Sequence, residues 1–279
     1  MSAVAEPRRS RGAGVRAAGK VAVVTGASRG LGAGLAVHFA SSGLHLGLCA
    51  RHRPFLAVRT RPTAHHGHVD APETPVLAAV DVTDPEALER FAHEVAARFG
   101  RIDLWVNNAG LLGPLGPLAL ADPADVARAV EVDVVGVLHG SAVFARHVRS
   151  RSGGGVLVNV SSGAATTPYE GWASYCASKA AVDQLTRVVA LEEACHGLRA
   201  YAVSPGLVDT DMQAAIRAAD DVAFPRVERF RRAAAEHAFN SPAWVAEHLL
   251  ALAFGSHQPA DVVLRIPDQP VSGRAGQAG

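Results

Sequence analysis

Short runs of apolar and β-branched residues alternate along the chain with segments in which apolar residues recur every three or four positions. The runs predict buried strands, and the spaced patterns predict helices with one face on a core. The predicted strands are Lys20–Thr25, Leu44–Cys49, Val76–Val80, Ile102–Asn107, Gly155–Val160, Leu198–Val203 and Val262–Ile266. The predicted helices are Gly32–Ser42, Pro85–Phe99, Pro123–Arg149, Trp172–Cys195 and Pro242–Phe254. This alternation predicts an α/β fold with a doubly wound parallel sheet between two helical layers, a three-layer αβα arrangement.

The same pattern sets the expected limits of the domain. Residues 1–19, rich in Arg, Ala and Gly, are expected to be a disordered tail, residues 20–268 a single domain, and residues 269–279 a flexible tail. The four prolines of segment 51–75 predict a loop in place of most of a crossover helix, with a turn around Phe55–Arg59 as the alternative. We expect His65, His66 and His68 in this loop to be solvated, and we predict no metal site.

Composition excludes several classes of function. A formal net charge of +1 argues against a nucleic-acid-binding protein, and no apolar run approaches the roughly 18 residues that a membrane span needs. The three cysteines are odd in number and widely spaced, which predicts neither a disulfide framework nor a metal site and favours a cytoplasmic location. We therefore expect a soluble enzyme with neither nucleic acid nor membrane as partner.

A glycine-rich turn follows the first predicted strand and opens the first predicted helix. Glycine lets the backbone turn tightly and approach a pyrophosphate, with the helix N-terminus facing the anion. An ordinary strand-to-helix turn is the alternative, but the position within a βαβ unit favours a dinucleotide site. The predicted cofactor-binding residues of this turn are Gly26, Ser28, Arg29, Gly30, Leu31 and Gly32.

Charge after the second predicted strand bears on the choice of dinucleotide. An acidic residue at this place bonds the ribose 2′-hydroxyl and repels a 2′-phosphate. Here the strand is followed by Arg51, whose planar fork suits a phosphate, and Arg29 lies in the glycine-rich turn. We predict that NADP(H) is preferred, with NAD(H) as the alternative.

Tyr175 and Lys179 are spaced to lie on one face of a predicted helix. Free tyrosine has a pKa of about 10, so a neighbouring cation is needed to favour the phenolate near neutral pH. Of the 27 basic residues only Lys20 and Lys179 are lysines, which suggests that an ammonium is needed at this place, although a surface pair is the alternative. We expect Lys179 to lower the pKa of Tyr175.

Ser161 and Ser162 follow the predicted strand Gly155–Val160. In open α/β sheets, ligands bind at the carboxyl ends of the strands. A hydroxyl there is placed to donate a hydrogen bond to a substrate carbonyl that becomes an alkoxide.

Together these motifs resemble the short-chain dehydrogenase/reductase family over residues 20 to 266. The matching motifs, in the order the family shows, are Thr25-Gly26-x-x-x-Gly30-x-Gly32, Asn107-Asn108-Ala109-Gly110, Tyr175-x-x-x-Lys179 and Ser204-Pro205-Gly206. The resemblance implies a Rossmann-like fold. It also implies that Tyr175 is the general acid/base, that Ser162 orients the carbonyl, and that Lys179 lowers the pKa of the tyrosine and holds the nicotinamide ribose. Further cofactor contacts are implied for Asp81, Val82, Asn108, Ala109, Gly110, Pro205, Gly206, Val208 and Thr210.

One position departs from the family pattern. Where the family usually has an asparagine whose main-chain carbonyl is thought to hold a relay water, this chain has Asp133. The carbonyl is kept, but the added carboxylate is expected to weaken the effect of Lys179 on the pKa of Tyr175. We expect activity to survive and retain Asp133 as a catalytic-site residue.

The C-terminal third resembles the sepiapterin-reductase and benzil-reductase branch of the family, on Asp209-Thr210-Asp211-Met212-Gln213 and Ser241-Pro242. This implies reduction of a ketone or dicarbonyl by NADPH. The alternatives are a secondary-alcohol dehydrogenase working in the oxidative direction and a non-catalytic cofactor sensor. The partner is expected to be a small carbonyl or alcohol, and the resemblance also implies a homodimer or homotetramer.

Overall fold

The strands of the protein form one parallel sheet. In the computed structural model, residues 2–4, 17–56 and 73–270 are described, and the statements below refer to these. The strands are β1 (Ser2–Ala3), β2 (Val21–Thr25), β3 (His45–Ala50), β4 (Val76–Ala79), β5 (Leu104–Asn107), β6 (Gly155–Val160), β7 (Leu198–Ser204) and β8 (Val263–Arg265). Their order across the sheet is β1-β8-β7-β6-β5-β2-β3-β4. The chain therefore leaves β2 in one direction and returns on its other side at β5, which creates a crevice between these two strands.

Helices cover both faces of this sheet. They are α1 (Gly30–Ser41), α2 (Pro85–Phe99), α3 (Pro123–Val130), α4 (Gly136–Arg149), α5 (Ala173–Glu193), α6 (Asp211–Ala218), α7 (Val227–Ala235) and α8 (Pro242–Phe254). The limits of α2 and α8 agree with the prediction because local signals mark them. Asp84 accepts the N–H of Ala87 at 2.9 Å before α2, and Ser241 accepts that of Trp244 at 3.1 Å before α8.

Two apolar cores lie on opposite faces of the sheet. Successive residues of a strand point to opposite faces, so Ala22 and Val24 of β2 belong to one core while Val21 and Val23 belong to the other. The first core is closed by α1 and α8, and the second by α2 and α4. The predicted Rossmann-like, doubly wound three-layer fold is confirmed.

The structure differs from the sequence-based prediction in three places. Ser2–Ala3 pair with β8 as a short edge strand, although residues 1–19 were expected to form a tail. Main-chain pairing needs no side-chain pattern, so the sequence carried no signal for it. The predicted helix Pro123–Arg149 contains a π-helical segment, Glu131–Val135, between α3 and α4. Helices α6 and α7, which lie within residues 211–235, were missed because their apolar faces are short.

Three further observations concern the predicted loop, membrane-spanning helices and the cysteines. The predicted loop lies largely outside the described residues, and so do His65, His66 and His68. Among the residues that are described, no helix is long and apolar enough to cross a membrane. Cys49, Cys176 and Cys195 are all free thiols.

Candidate active site

A cleft of about 1040 Å³ opens at the carboxyl ends of the strands, beside the crevice between β2 and β5. All candidate residues lie within the described part of the chain, and most of them line this cleft. Gly32 and Asp133 are the two that lie behind its wall instead of lining it. The sequence motifs, which are spread over 185 residues of chain, are thus brought to a single site by the sheet.

The turn after β2 is built around a close backbone approach. Gly26 has φ +66°, and a Cβ at this residue would lie 2.7 Å from the Cα of Ala109. A Cβ on Gly32 would overlap the carbonyl oxygen of Gly26. The hydroxyl of Thr25 accepts the N–H groups of Asn108 and Ala109, both at 3.1 Å. The glycine-rich turn and the Asn-Asn-Ala-Gly segment are therefore one packed unit.

The N-terminus of α1 is suited to an anion. Arg29 precedes the helix in extended conformation, no described side chain caps the first turn, and that turn carries no acidic residue. The first N–H groups of a helix have no intrahelical partner and bind anions. Ser28, Arg29 and Gly30 are exposed beside them in the cleft. The donor set of this turn therefore fits the pyrophosphate of a dinucleotide.

Two groups of opposite charge lie farther along the cleft. Arg51 is exposed in the cleft wall just after β3. Asp81 accepts from Thr83 at 2.8 Å and from Arg128 at 2.9 Å. Burial acts to raise the pKa of Asp81, but these hydrogen bonds outweigh it and hold the pKa below its ordinary value. Asp81 is thus a charged, anchored residue, whereas Arg51 is free to meet a ligand.

Ser162, Tyr175 and Lys179 converge in the cleft below β6. The ammonium of Lys179 donates to the carbonyl of Val160 at 3.0 Å and lies 5.6 Å from the centroid of the Tyr175 ring. The oxygen of Ser162 accepts the N–H of Ala164 at 3.2 Å, and the Ser162 hydroxyl also hydrogen-bonds with Tyr175. The neighbouring Ser161 points away from this group.

Ser161 stabilises the structure around the site. Its hydroxyl donates to the buried carboxylate of Asp183 at 2.5 Å, four residues after Lys179 on α5. This bond joins the end of β6 to α5, and it thereby fixes the position of Lys179 relative to Ser162. Both serines line the cleft, but Ser162 is the one whose hydroxyl hydrogen-bonds with Tyr175.

The π-helical segment contains Asp133, which is buried behind the group formed by Ser162, Tyr175 and Lys179. Asp133 is 1% exposed, its Oδ1 accepts the N–H of Leu111 at 2.7 Å, and its Oδ2 has no hydrogen-bond partner within the described chain. Burial raises the pKa of Asp133, while the charge of Lys179 and the bond from Leu111 oppose the rise. An extra residue in a helical turn re-aims side chains, and such π-turns are frequent at functional sites.

The net pKa shift of Tyr175 is opposite to the expected one. Burial raises the pKa of Tyr175 above its ordinary value, and the charge of Asp133 adds to this rise. Lys179 and the hydrogen bond with Ser162 act in the lowering direction, as expected for Lys179, but they are outweighed. The predicted lowering by Lys179 is present, but the depth at which the phenol is buried could not be derived from the sequence, and this burial decides the net direction.

The segment after β7 closes the far side of the cleft. The side-chain amide of Asn240 donates to the carbonyl of Pro205 at 2.8 Å, and Gly206 has φ +76°. Thr210 begins α6, and its methyl group would lie 3.3 Å from a Cβ on Gly30. Pro205, Gly206, Val208 and Thr210 all line the cleft, so this segment and the glycine-rich turn bound one ligand site.

An aromatic wall, formed by Tyr169, Trp172 and Phe230 at the cleft and backed by the fully buried Phe224, was not assembled by the sequence analysis. Trp172 stacks on Phe224 at 4.7 Å between ring centroids and meets Tyr169 at 5.0 Å and Phe230 at 5.4 Å. It also contacts the edge of Tyr175 at 5.4 Å. The concentration of these rings in a chain with 5% aromatics was the available signal, but only the tertiary structure packs Phe224 and Phe230 against residues 169 and 172.

Comparison with known proteins places the chain among oxidoreductases. The family model described as short chain dehydrogenase matches residues 20–221. Benzil reductase ((S)-benzoin forming) of Bacillus subtilis is 30% identical over 236 residues, covering 82% of this chain and 91% of that protein. Cis-4-hydroxycyclohexanecarboxylate dehydrogenase of Sinomonas cyclohexanicum is 36% identical over 201 residues, or 71% of this chain and 77% of that protein.

Solved structures agree with the fold described above. The KRED1-Pglu enzyme superimposes with a TM-score of 0.71 at 32% identity, over 87% of this chain and 98% of that one. A short-chain dehydrogenase/reductase from Burkholderia xenovorans gives a TM-score of 0.75 at 29% identity, over 91% and 97% of the two chains. The resemblance inferred from the motifs, including that to the benzil-reductase branch, is confirmed.

Proposed function

The chain belongs to the short chain dehydrogenase family, and on that premise we propose that this oxidoreductase reduces ketones or vicinal dicarbonyl compounds to alcohols with NADPH, with Tyr175 as the proton donor. The observation that supports this most is the convergence of Ser162, Tyr175 and Lys179 beside an aromatic wall. Family members use NAD(P)(H) in general. The glycine-rich turn, the open N-terminus of α1 and the segment 205–210 form a cradle that fits such a dinucleotide.

The residues act on the carbonyl oxygen of the substrate. When bound, the nicotinamide supplies a hydride for the carbonyl carbon. Ser162 donates its hydroxyl proton to the carbonyl oxygen and holds that oxygen beside Tyr175, which transfers the phenolic proton as negative charge develops. Lys179 stabilises the phenolate that remains, and its link to Val160 keeps the ammonium below the ring. Because burial raises the pKa of Tyr175, the phenol holds its proton at neutral pH, as a proton donor must.

The preference for NADPH is proposed from charge. Arg51 lines the cleft after β3, and residues 51–56 contain no carboxylate that would repel a 2′-phosphate. Arg29, the second expected contact, lies 3.4 Å from Asp211, and both side chains are largely exposed. Such a pair is weak, so Arg29 is available to a phosphate as well.

The substrate class is proposed from the aromatic wall and from the similarity to benzil reductase. Flat aryl groups pack well against such a wall, in offset or edge-to-face contact. The second candidate is oxidation of a cyclic secondary alcohol, because several relatives are dehydrogenases, among them the hydroxycyclohexanecarboxylate enzyme. The same residues serve both directions, with Tyr175 as base in the oxidation.

Steady-state turnover tests the proposal. Oxidation of NADPH and of NADH would be followed with benzil, an aliphatic diketone and acetophenone, and reduction of NADP⁺ with the matching alcohols. We expect turnover of the aryl carbonyls with NADPH and a loss of at least about 10³-fold in Tyr175→Phe. Turnover of alcohols alone would favour the second candidate. Turnover that survives in Tyr175→Phe would reject the assigned proton donor.

Three further expectations are proposals with simple tests. We propose a homodimer or homotetramer, since the two long helices carry exposed apolar residues, Leu138 of α4 and Val188 and Leu191 of α5. Light scattering of the purified protein would measure its mass.

We propose a cytoplasmic location on the ground that all three cysteines are free. The domain limits 20–268 would be tested by limited proteolysis.

A further inference from the structure

Arg229 of α7 stands at the outer end of the aromatic wall. Its side chain is exposed and lines the cleft together with Tyr169. One guanidinium nitrogen donates to the hydroxyl of Tyr169 at 2.9 Å, and the guanidinium carbon lies 5.9 Å from the centroid of that ring. The guanidinium is therefore held in place at the mouth of the cleft, although only part of its hydrogen-bonding capacity is used.

The charge of Arg229 is not neutralised by the protein. No described carboxylate forms an ion pair with it, and its neighbour Glu228 pairs with Arg231 at 3.8 Å instead. Arg226 adds a second guanidinium, 5.3 Å from the centroid of Tyr169 on the same rim. Arg229 lines the ligand cleft without a described carboxylate partner, and Arg226 adds positive charge beside the same ring, so this end of the wall is suited to an anion.

A series of aromatic ring contacts connects Arg229 to Tyr175. Tyr175 contacts Trp172 at 5.4 Å between centroids, Trp172 contacts Tyr169 at 5.0 Å, and Tyr169 bonds Arg229. A substrate whose carbonyl reaches Tyr175 and whose aryl ring lies along this wall extends its far side toward Arg229. The cation is therefore at the end of the wall away from Tyr175, where it faces the part of such a substrate that is farthest from the carbonyl.

We infer that Arg229 is an anion-binding residue of the substrate site, and that the preferred substrates are aryl ketones with a carboxylate on the side of the ring opposite the carbonyl. This inference rests on the proposed carbonyl reduction at Tyr175, and it adds no new chemical step. It names the charged group that selects among aryl carbonyl compounds, a property that the neutral aromatic wall does not supply.

Two matched ketones test it. 4-Acetylbenzoate and 4-acetylbenzamide have nearly the same shape and differ in charge. For the unaltered protein we expect kcat/KM to be about five-fold higher for the carboxylate than for the amide at low salt. The difference should arise from KM, and it should become smaller at high salt, as for a partly exposed ion pair. Arg229→Gln, which keeps a donor for Tyr169, should abolish this preference, so that the ratio of kcat/KM for the carboxylate to that for the amide falls to about one.

Arg232→Gln is the matched control. Arg232 lies on the same helix, is exposed and does not line the cleft, so its loss removes the same charge from the surface. We expect this variant to keep the preference for the carboxylate. An equal effect of both variants would assign the preference to the general charge of the surface and overturn the inference. So would an unaltered protein that shows no preference.

Binding measured without turnover separates this inference from the proposed function. Calorimetric titration of 4-acetylbenzoate into Tyr175→Phe with saturating NADPH, compared with Tyr175→Phe combined with Arg229→Gln, reports the anion site alone. We expect the dissociation constant to rise about five-fold in the double variant. If neither ketone is turned over but this difference is found, the proposed function fails and the anion site stands. If both ketones are turned over and the difference is absent, the anion site is rejected.

Discussion

Asp133 and Lys179 lie on the same side of Gly110. A Cβ on Gly110 would be 3.3 Å from Oδ1 of Asp133 and 3.8 Å from Nζ of Lys179. Both side chains are at most 5% exposed, so their charges interact with little screening by water. The carboxylate also acts on Tyr175 and raises the pKa of the phenol. The group that departs from the family pattern therefore acts electrostatically on Tyr175, the proposed proton donor.

Asp133→Asn should change the pH dependence of the activity more than the magnitude of the activity. Removing the negative charge lowers the pKa of Tyr175, because Asp133 contributes to its rise. The protonated phenol is needed for reduction, so activity falls as pH rises through this pKa. We expect this falling limb of kcat/KM to move to lower pH, with kcat at pH 7 within about ten-fold.

Glu131→Gln is the matched control for that experiment. Glu131 lies on the same π-helical segment but is exposed and pairs with Arg128 at 3.3 Å. Its pH profile should follow that of the unaltered protein. A loss of activity in Asp133→Asn well above ten-fold, without a moved limb, would show that the carboxylate is needed for the chemistry itself.

Arg51→Ala should alter the choice of dinucleotide. If Arg51 binds the 2′-phosphate, its loss should raise the KM for NADPH about ten-fold and leave the KM for NADH within about two-fold. Arg53→Ala, which removes an exposed arginine two positions away that does not line the cleft, should have little effect on either constant. Equal changes for both dinucleotides would mean that Arg51 does not read the phosphate.

Gly32→Ala should weaken dinucleotide binding. The added methyl group would overlap the carbonyl oxygen of Gly26 and lie 2.5 Å from the side-chain nitrogen of Asn108, so the turn must move. We expect the dissociation constant for NADPH, measured by fluorescence titration, to rise at least ten-fold. Ala33→Ser on the next helical position should bind normally. Unchanged affinity in Gly32→Ala would contradict the close packing of the turn.

Stability should fall in mild acid because of His147. Burial lowers the pKa of His147 to about 4, and the charges of Arg151 and Arg101 act in the same direction. The neutral ring accepts the N–H of Ile102 at 3.0 Å. Since the unfolded chain takes up this proton near pH 6.5, the contribution of His147 is complete above that pH and is lost as pH falls toward 4.

Urea unfolding between pH 7 and pH 4.5 would measure this effect. After discounting for the half-exposed ring, we expect His147 to account for about 1 kcal/mol of the decrease in the free energy of unfolding. His147→Gln should be less stable at pH 7 and show a shallower dependence on pH than the unaltered protein. His93→Gln, which removes an exposed histidine, should keep the original dependence. A slope unchanged in His147→Gln would assign the acid sensitivity to other groups.

Much of the fold was predictable because its signals are local. Alternating apolar strands, the Asp84 and Ser241 caps and the turn glycines act within a few residues, so the limits of β6, α2 and α8 agree with the prediction. The position of the glycine-rich turn and of Arg51 at the cleft was predictable for the same reason, since each follows a strand end. Ser2–Ala3 and the short helices α6 and α7 are held mainly by distant partners, and their own sequence carries little information about them.

By itself, the sequence determined the order of strands and helices, the glycine-rich turn and the Tyr175–Lys179 pair on one helical face. These depend on periodicity and spacing, which are properties of the chain. Only the tertiary structure decided that burial and Asp133 outweigh Lys179 in the pKa of Tyr175, and that four distant aromatic residues form one wall ending at Arg229. Desolvation and packing depend on which atoms of remote segments meet, and this is established only when the sheet brings those segments together.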